Sequence, residues 1–307
     1  MTPDSTPMFQ PLTGIFEPSG IRQLADGRFL VVEDEEQHPF SLVTIGPDGA
    51  VSSTAMKPGF FEAFDSFWKL DDLEGVALDQ AGNLYAITSH SRDADGSEKK
   101  PRNKLVRFRI EGDRIVKTKL VKDLKPALLA AHPVLAQAAA NLDVKASGGF
   151  NIEALEMSTD QQRLLIGFRS PLLGNRALIT SVENPTEIFD ADAPPRISAT
   201  LITLDLGGNG IRAMSYISFL DGYLISGGPA ARAQVQFQAW FWSGAPDEPA
   251  RRVSVAGLPG FEHTEGISPA VIDGRQRIIF VSDDGSRAEG RFARFLLLDP
   301  GQLQIEA

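Results

Sequence analysis

The chain has 307 residues, 30 Lys and Arg against 40 Asp and Glu, a formal net charge of -10, and no cysteine. That charge repels phosphate backbones, so nucleic acid is not an expected partner, and the missing cysteines rule out disulfides, thiolate nucleophiles and cysteine metal sites. No apolar run approaches the roughly 20 residues that span a bilayer, so no membrane partner is expected. The opening MTPDSTPMFQ lacks the basic and apolar regions of a secretory signal, which reads as a cytoplasmic chain unless a leader has been trimmed.

In chain order, PMFQPLTGIF from Pro7 reads as a closing strand, and five related segments follow. They are SGIRQLADGRFLVVED from Ser19, EGVALDQAGNLYAITSH from Glu74, EALEMSTDQQRLLIGFR from Glu153, RAMSYISFLDGYLISGG from Arg212 and EGISPAVIDGRQRIIFVSDD from Glu265. Each holds a short strand, a turn such as Asp26-Gly27 or Asp273-Gly274, and then an apolar run typical of a strand covered on both faces. The anchors at 19, 74, 153, 212 and 265 stand about one four-stranded blade apart, except for a longer second interval. Its surplus, at about residues 122–148, is rich in Ala and Leu with Pro126 and Pro133, and predicts a helical insertion between the second and third repeats. Lys104 to Ile110, Ala177 to Val182, Val235 to Trp242 and Phe292 to Leu298 fit outer strands. The expected fold is all-β, a single β-propeller over residues 1–307 with five blades. A β-sandwich is the alternative fold class, and a sixth blade would need a strand hidden in the aromatic segment Met56 to Lys69.

The segments DDLEGVALD, FNIEALEMS, GFRSP, GIRAMSYI and HTEGIS carry a resemblance to an uncharacterised bacterial β-propeller family defined as a domain of unknown function. That family is similar in turn to the phytase-like esterase propellers, whose blades open on an acidic-Glu-Gly-hydrophobic motif. The likeness runs from about Ile15 to Asp299 and implies the propeller fold and, by analogy, a hydrolase. Ser19 and Arg212 depart from the motif, so a site that needs five acids is not expected.

In a propeller the inner strand of each blade starts on the face where the second strand ends. Ser19, Glu74, Glu153, Arg212 and Glu265 should therefore share one opening with Asp72, Asn151 and His263, and with Asp34, His90, Arg169 and Asp283 at the second-strand ends. Oxygen-rich clusters suit a hard cation, and Asp72, Glu74, Asn151 and Glu153 are the candidate ligands for Ca²⁺ or another divalent cation. The same Glu residues read equally as closure devices that accept hydrogen bonds from a neighbouring blade. Arg169 and Arg212 are candidates to clamp a small anionic molecule, or else to neutralise Glu153. His90 and His263 are the candidate proton-transfer groups, with Glu74, Glu153 and Glu265 as further catalytic candidates, whereas His38 and His132 read as loop and packing residues. The rim residues Lys99, Lys100, Arg102, Lys104, Arg176, Arg232, Arg287 and Arg291 read as solvated charge.

No GxSxG, HExxH, P-loop or dinucleotide fingerprint is present, so no serine elbow, nucleotide or flavin is expected. The leading function is a cation-assisted hydrolase of a small anionic ester, phosphoester or lactone. The alternatives are a non-catalytic propeller that binds a ligand or partner protein, and a metal-free lyase or isomerase.

Overall fold

The computed structural model describes residues 6–35, 37–59, 62, 65–142, 148–231 and 236–306. Five antiparallel sheets form five blades. Blade one holds β2 (Pro18–Gln23), β3 (Phe29–Glu33), β4 (Phe40–Ile45) and β5 (Val51–Ala55). Blade two holds β6 (Leu73–Leu78), β7 (Leu84–Thr88), β8 (Leu105–Glu111) and β9 (Arg114–Val121). Blade three holds β10 (Asn151–Met157), β11 (Leu164–Leu173), β12 (Arg176–Val182) and β13 (Ile202–Leu204). Blade four holds β14 (Asn209–Ile217), β15 (Gly222–Pro229), β16 (Gln238–Trp242) and β17 (Arg251–Val255). Blade five holds β18 (Thr264–Ile272), β19 (Arg275–Ser282) and β20 (Arg294–Leu298).

Two further strands complete the outer sheets. The N-terminal β1 (Gln10–Pro11) pairs with β20 as the outer strand of blade five, with Gln10 opposite Phe295. The C-terminal β21 (Leu303–Ile305) adds a fifth strand to blade four, with Val253 opposite Ile305. The ring is thus closed by hydrogen bonds from the chain start to its last blade, and short outer strands leave little edge open.

The inner and second strands are buried on both faces because each blade lies between two others. Five hydrophobic clusters fill the gaps between neighbouring blades. In the gap between blades one and two Phe40 stacks on Phe67 and both meet Phe108 edge-on, with Met56 and Leu70 beside them. Met56, Phe67 and Trp68 of the segment Met56 to Lys69 therefore pack on the flank of blades one and two; the segment's described residues form no strand and include a short turn of helix at Ser66–Trp68.

Two helices, α1 (Leu124–Ala131) and α2 (Pro133–Ala139), connect β9 to β10, with Pro133 at the first turn of α2. Leu124, Leu128 and Leu135 are fully buried against Phe150 and Phe168, each contributing about 1.5–3 kcal/mol of burial. Residues 143–147 of the predicted insertion and Val235 of a predicted outer strand lie outside the described residues. A third helix, α3 (Pro185–Ala191), follows β12 and was not expected from the sequence.

Candidate functional site

In all five inner strands the pairing with the second strand skips one residue, and the skipped residue is Ser19, Glu74, Glu153, Arg212 or Glu265. A β-bulge leaves its extra residue free of the ladder and re-aims its side chain. Here the five bulged side chains line one cavity at the mouth of the central channel. The residue after each is Gly or Ala, because the next blade leaves no room for more. A Cβ on Gly75 would stand 2.8 Å from the backbone nitrogen of Leu155 in blade three, and one on Gly266 would stand 3.2 Å from that of Ile21 in blade one.

The position two residues before the bulge also has a backbone reason. Asp72 and His263 both sit in the left-handed region, at φ 62 and 59, which Asp, Asn and His tolerate better than most residues. Their carbonyls accept hydrogen bonds from Ser89 N at 2.8 Å and Asp283 N at 2.7 Å, the residues that directly follow the second strands of the same blades. Asp34 N donates likewise to Glu17 O at 3.0 Å in blade one.

The mouth cavity has a volume of about 610 Å³. Its described lining carries eight carboxylates and four guanidinium groups, and almost no apolar side chain beyond Leu142, an exposed residue that follows α2. Arg92 ties the insertion to this rim by donating to Ala139 O at 3.3 Å. The insertion is therefore a packed extension whose end forms part of the cavity wall.

Glu74, Glu153 and Glu265 are all buried, and each offers a carboxylate oxygen within 4.8 Å of the others. The donors of Glu153 all fall on one oxygen: Arg169 Nη1 donates to Oε1 at 3.0 Å, Arg212 Nη1 at 3.1 Å and Asn151 Nδ2 at 3.1 Å, while the buried Oε2 accepts no hydrogen bond from any described residue. Arg212 Nε is 2.9 Å from the other oxygen of Glu153 but out of line for a hydrogen bond, and Arg212 Nη2 pairs with Glu265. Both arginines therefore converge on Glu153, the neutralising alternative for this pair. Glu74 accepts no hydrogen bond from any described residue, and the buried Oδ1 of Asn151 also lacks a partner. Burial first, and then Glu153, Asp72 and Asp34, push the Glu74 carboxyl well above the usual range.

Asp72 takes hydrogen bonds from the hydroxyls of Ser89 and Ser91 and an ion pair from Arg102 Nη1 at 3.1 Å. Asp34 is open to the cavity water but deeply enclosed, and desolvation with the nearby Asp72 pushes its carboxyl up to about 8. Asp283 is raised in the same way.

Neither histidine expected at the mouth lines this cavity. His90 is fully buried, with Nδ1 against Thr88 O at 2.8 Å and Nε2 without a partner, and burial pushes its imidazole down to about 4. His263 is exposed and packs against Phe237 at a tilt, with ring centroids 5.1 Å apart. Of the described rim cations only Arg102 reaches the lining, and Arg232 lies outside the described residues.

Below the ring the channel narrows to about 10 Å³ among Ile21, Val76, Leu155, Met214 and Ile267, room for about one water. Beyond this, Arg22 of blade one reaches Glu156 of blade three at 2.5 Å and Ser215 of blade four at 3.1 Å. These blades are not all neighbours, so the ion pair crosses the channel and plugs its far end. The sequence offered a signal for it, opposite charges three residues after the bulge in two blades.

No functionally curated protein matches the chain. Among solved structures it is similar to a GH43_1 enzyme from Xanthomonas citri, at TM-score 0.52 and 12% identity over 98% of this chain and 94% of that one. It is also similar to a GH43 β-1,3-galactosidase solved with galactodeoxynojirimycin, at TM-score 0.50 and 9% identity over 97% of this chain and 98% of that one. A PQQ-bound aldose sugar dehydrogenase from Streptomyces coelicolor follows at TM-score 0.47 and 13% identity, covering 99% of this chain and 100% of that one. At these identities the likeness to the GH43 enzymes shows the fold alone. The model of the family described as "Protein of unknown function (DUF3616)" matches residues 118–292, more than half of the chain, and the chain belongs to that family.

Proposed function

We propose that the propeller mouth is a hydrolytic site in which Glu74, Glu153 and Glu265 hold a divalent cation such as Ca²⁺ against a small anionic ester, phosphoester or lactone. The observation that carries this reading is the convergence of three buried carboxylates from three blades within 4.8 Å, with Glu74 accepting no hydrogen bond from any described residue. Carboxylates this close keep their charges only beside a compensating cation; Arg169 is spent on Glu153 and Arg212 on Glu153 and Glu265, which leaves Glu74 without an ion-pair partner among the described residues. Oxygen donors alone, with Asn151 Oδ1 as a further neutral one, fit a hard cation that takes six to eight oxygen ligands. Asp72, engaged by Arg102 and two serine hydroxyls, serves as an outer carboxylate behind Glu74.

The cation would polarise a substrate oxygen and acidify a water beside it. The chain supplies the rest. Arg169 lines the cavity, and its Nη2 is not bonded to any described residue, so it can meet the anionic end of the substrate. Asp34, with its carboxyl pushed up to about 8, can hold or take up a proton near neutral pH, the role expected of His90 or His263, and the Asp283 carboxyl beside the cavity is shifted in the same direction. The excess of carboxylates disfavours an anionic substrate until the cation is bound.

The test is a calcium titration followed by thermal unfolding, together with turnover of a phosphomonoester, a carboxylate ester and a lactone. A raised midpoint and calcium-dependent turnover of one of the three support the reading. An unchanged midpoint at millimolar calcium removes the cation from it.

One observation favours a second reading, a non-catalytic binding propeller. The Arg212 guanidinium occupies a ring place itself and joins Glu153 to Glu265, linking blades three, four and five. On that reading the carboxylates are closure devices, and Glu265→Gln would unfold the protein instead of silencing it.

A further inference from the structure

The mouth is electrically divided. Arg212 and Arg169 belong to blades four and three, and both are bonded to Glu153. Blades five, one and two contribute Glu265, Asp283, Asp34, Asp72 and Glu74 to the lining, with Arg102 as their only described counter-charge from these blades besides Arg92 at the outer loop. At the centre of this acidic half stands Ser19, the one bulged ring residue with a short side chain. Blade one lies between blades five and two, so Ser19 is flanked by Glu265 on one side and Glu74 on the other, the mirror of the place that Arg212 fills between Glu153 and Glu265. Ser19 is 3% exposed, and its hydroxyl has no hydrogen-bond partner among the described residues.

We propose that Ser19 is the ring residue that seats the cation: its short side chain leaves the gap between Glu74 and Glu265 in which the ion sits, with the hydroxyl facing the ion. The inference rests on the cation-site reading and deepens it. It assigns an orientation to the site, with the cation against blades five, one and two and the anionic end of the substrate towards Arg169. Three observations carry it independently of any titration: the buried Glu74 carboxylate and the buried Ser19 hydroxyl, neither hydrogen-bonded to a described residue, and the guanidinium of Arg212 that fills the corresponding place between Glu153 and Glu265, with no such cation lining the cavity from blade one. A permanent cation at blade four and an exchangeable one at blade one would together balance the ring.

The experiment is calorimetric titration of the full chain with calcium chloride, comparing wild type with Ser19→Ala, Ser19→Arg and Ser19→Leu. Ser19→Arg supplies a fixed guanidinium to the gap, and Ser19→Leu fills it without charge. The expected result is a loss of calcium affinity of 100-fold or more in both filled variants and of less than 10-fold in Ser19→Ala. Thermal unfolding without calcium establishes that each variant is folded, and Ser19→Leu provides the reading if Ser19→Arg is not. Calcium affinity within 3-fold of wild type in a folded Ser19→Arg or Ser19→Leu would overturn the assignment of the gap while leaving the three-carboxylate site standing. Absence of calcium binding by wild type would instead remove the site reading itself.

Discussion

Arg212 of blade four and Glu153 of blade three form a buried pair, with Nη1 donating to Oε1 at 3.1 Å and Nε 2.9 Å from Oε2. The same guanidinium reaches Glu265 of blade five, so one side chain neutralises two carboxylates that the bulges drive into the channel.

Removing that guanidinium leaves Glu265 with no described counter-charge and Glu153 with Arg169 and Asn151 alone. Arg212→Gln is expected to lower the stability by about 3–5 kcal/mol, the usual cost of breaking a buried pair from one side. Because the carboxylates then lack their internal cation, millimolar calcium should restore part of the loss. Denaturant unfolding with and without calcium measures both, and a loss below about 1 kcal/mol would show that the pair contributes little to closure.

Glu74 makes the opposite case. Its buried carboxylate accepts no hydrogen bond from any described residue, and burial and like charges raise its pKa, so ionising it does not stabilise the fold. Glu74→Gln should leave the midpoint of unfolding unchanged or raise it, abolish the calcium-induced shift and abolish turnover. A collapse of folding in Glu74→Gln would instead favour the closure-device reading.

His90 gives the clearest pH dependence. Its imidazole titrates at about 4 in the folded protein and at the ordinary 6.5 unfolded, because burial disfavours the cation. Between those values the unfolded chain binds more protons than the folded one, so stability rises with pH; its contribution is complete above 6.5 and is lost as pH falls through 4. A shift of that size corresponds to about 3 kcal/mol. His90→Asn, which tolerates the φ of 54, should flatten the stability profile between pH 6.5 and 4 by about that amount. A profile as steep as wild type would contradict a neutral buried imidazole.

Gly75 tests the packing that underlies the Glu-Gly motif. A methyl group there would stand 2.8 Å from Leu155 N, a backbone atom that cannot move without shifting blade three. Gly75→Ala is expected to cost about 1–3 kcal/mol by overpacking, whereas Gly82→Ala, whose Cβ meets nothing, is strained only by its φ of 81. Equal thermal midpoints for wild type and Gly75→Ala would mean that blades two and three are not packed this closely.

These residues also mark what was legible in the sequence. The inner hairpins were readable because two-sided burial makes runs such as Leu84 to Ile87 apolar and because turns such as Asp273-Gly274 need left-handed backbone. The outer strands were less so. In β5 burial merely alternates along Val-Ser-Ser-Thr-Ala, and β21 is three residues whose partner lies in an earlier blade. The ring positions followed from the repeat, and Glu74, Glu153 and Glu265 do meet. What the repeat could not supply was which way a side chain turns at a left-handed residue, so His90 and His263 were assigned to an opening that neither lines. Nor could it supply which charges meet across the ring, as Arg212 does with two carboxylates and Arg22 does with Glu156 at the far end.

The most direct test of the cation-bearing mouth is a long-wavelength anomalous difference map from crystals of the full chain grown in calcium. The account predicts a peak between Glu74 and Glu265, beside Ser19, at the roughly 2.3–2.6 Å from carboxylate oxygens that calcium requires. A flat map at that point, with the three glutamates well ordered, would contradict it.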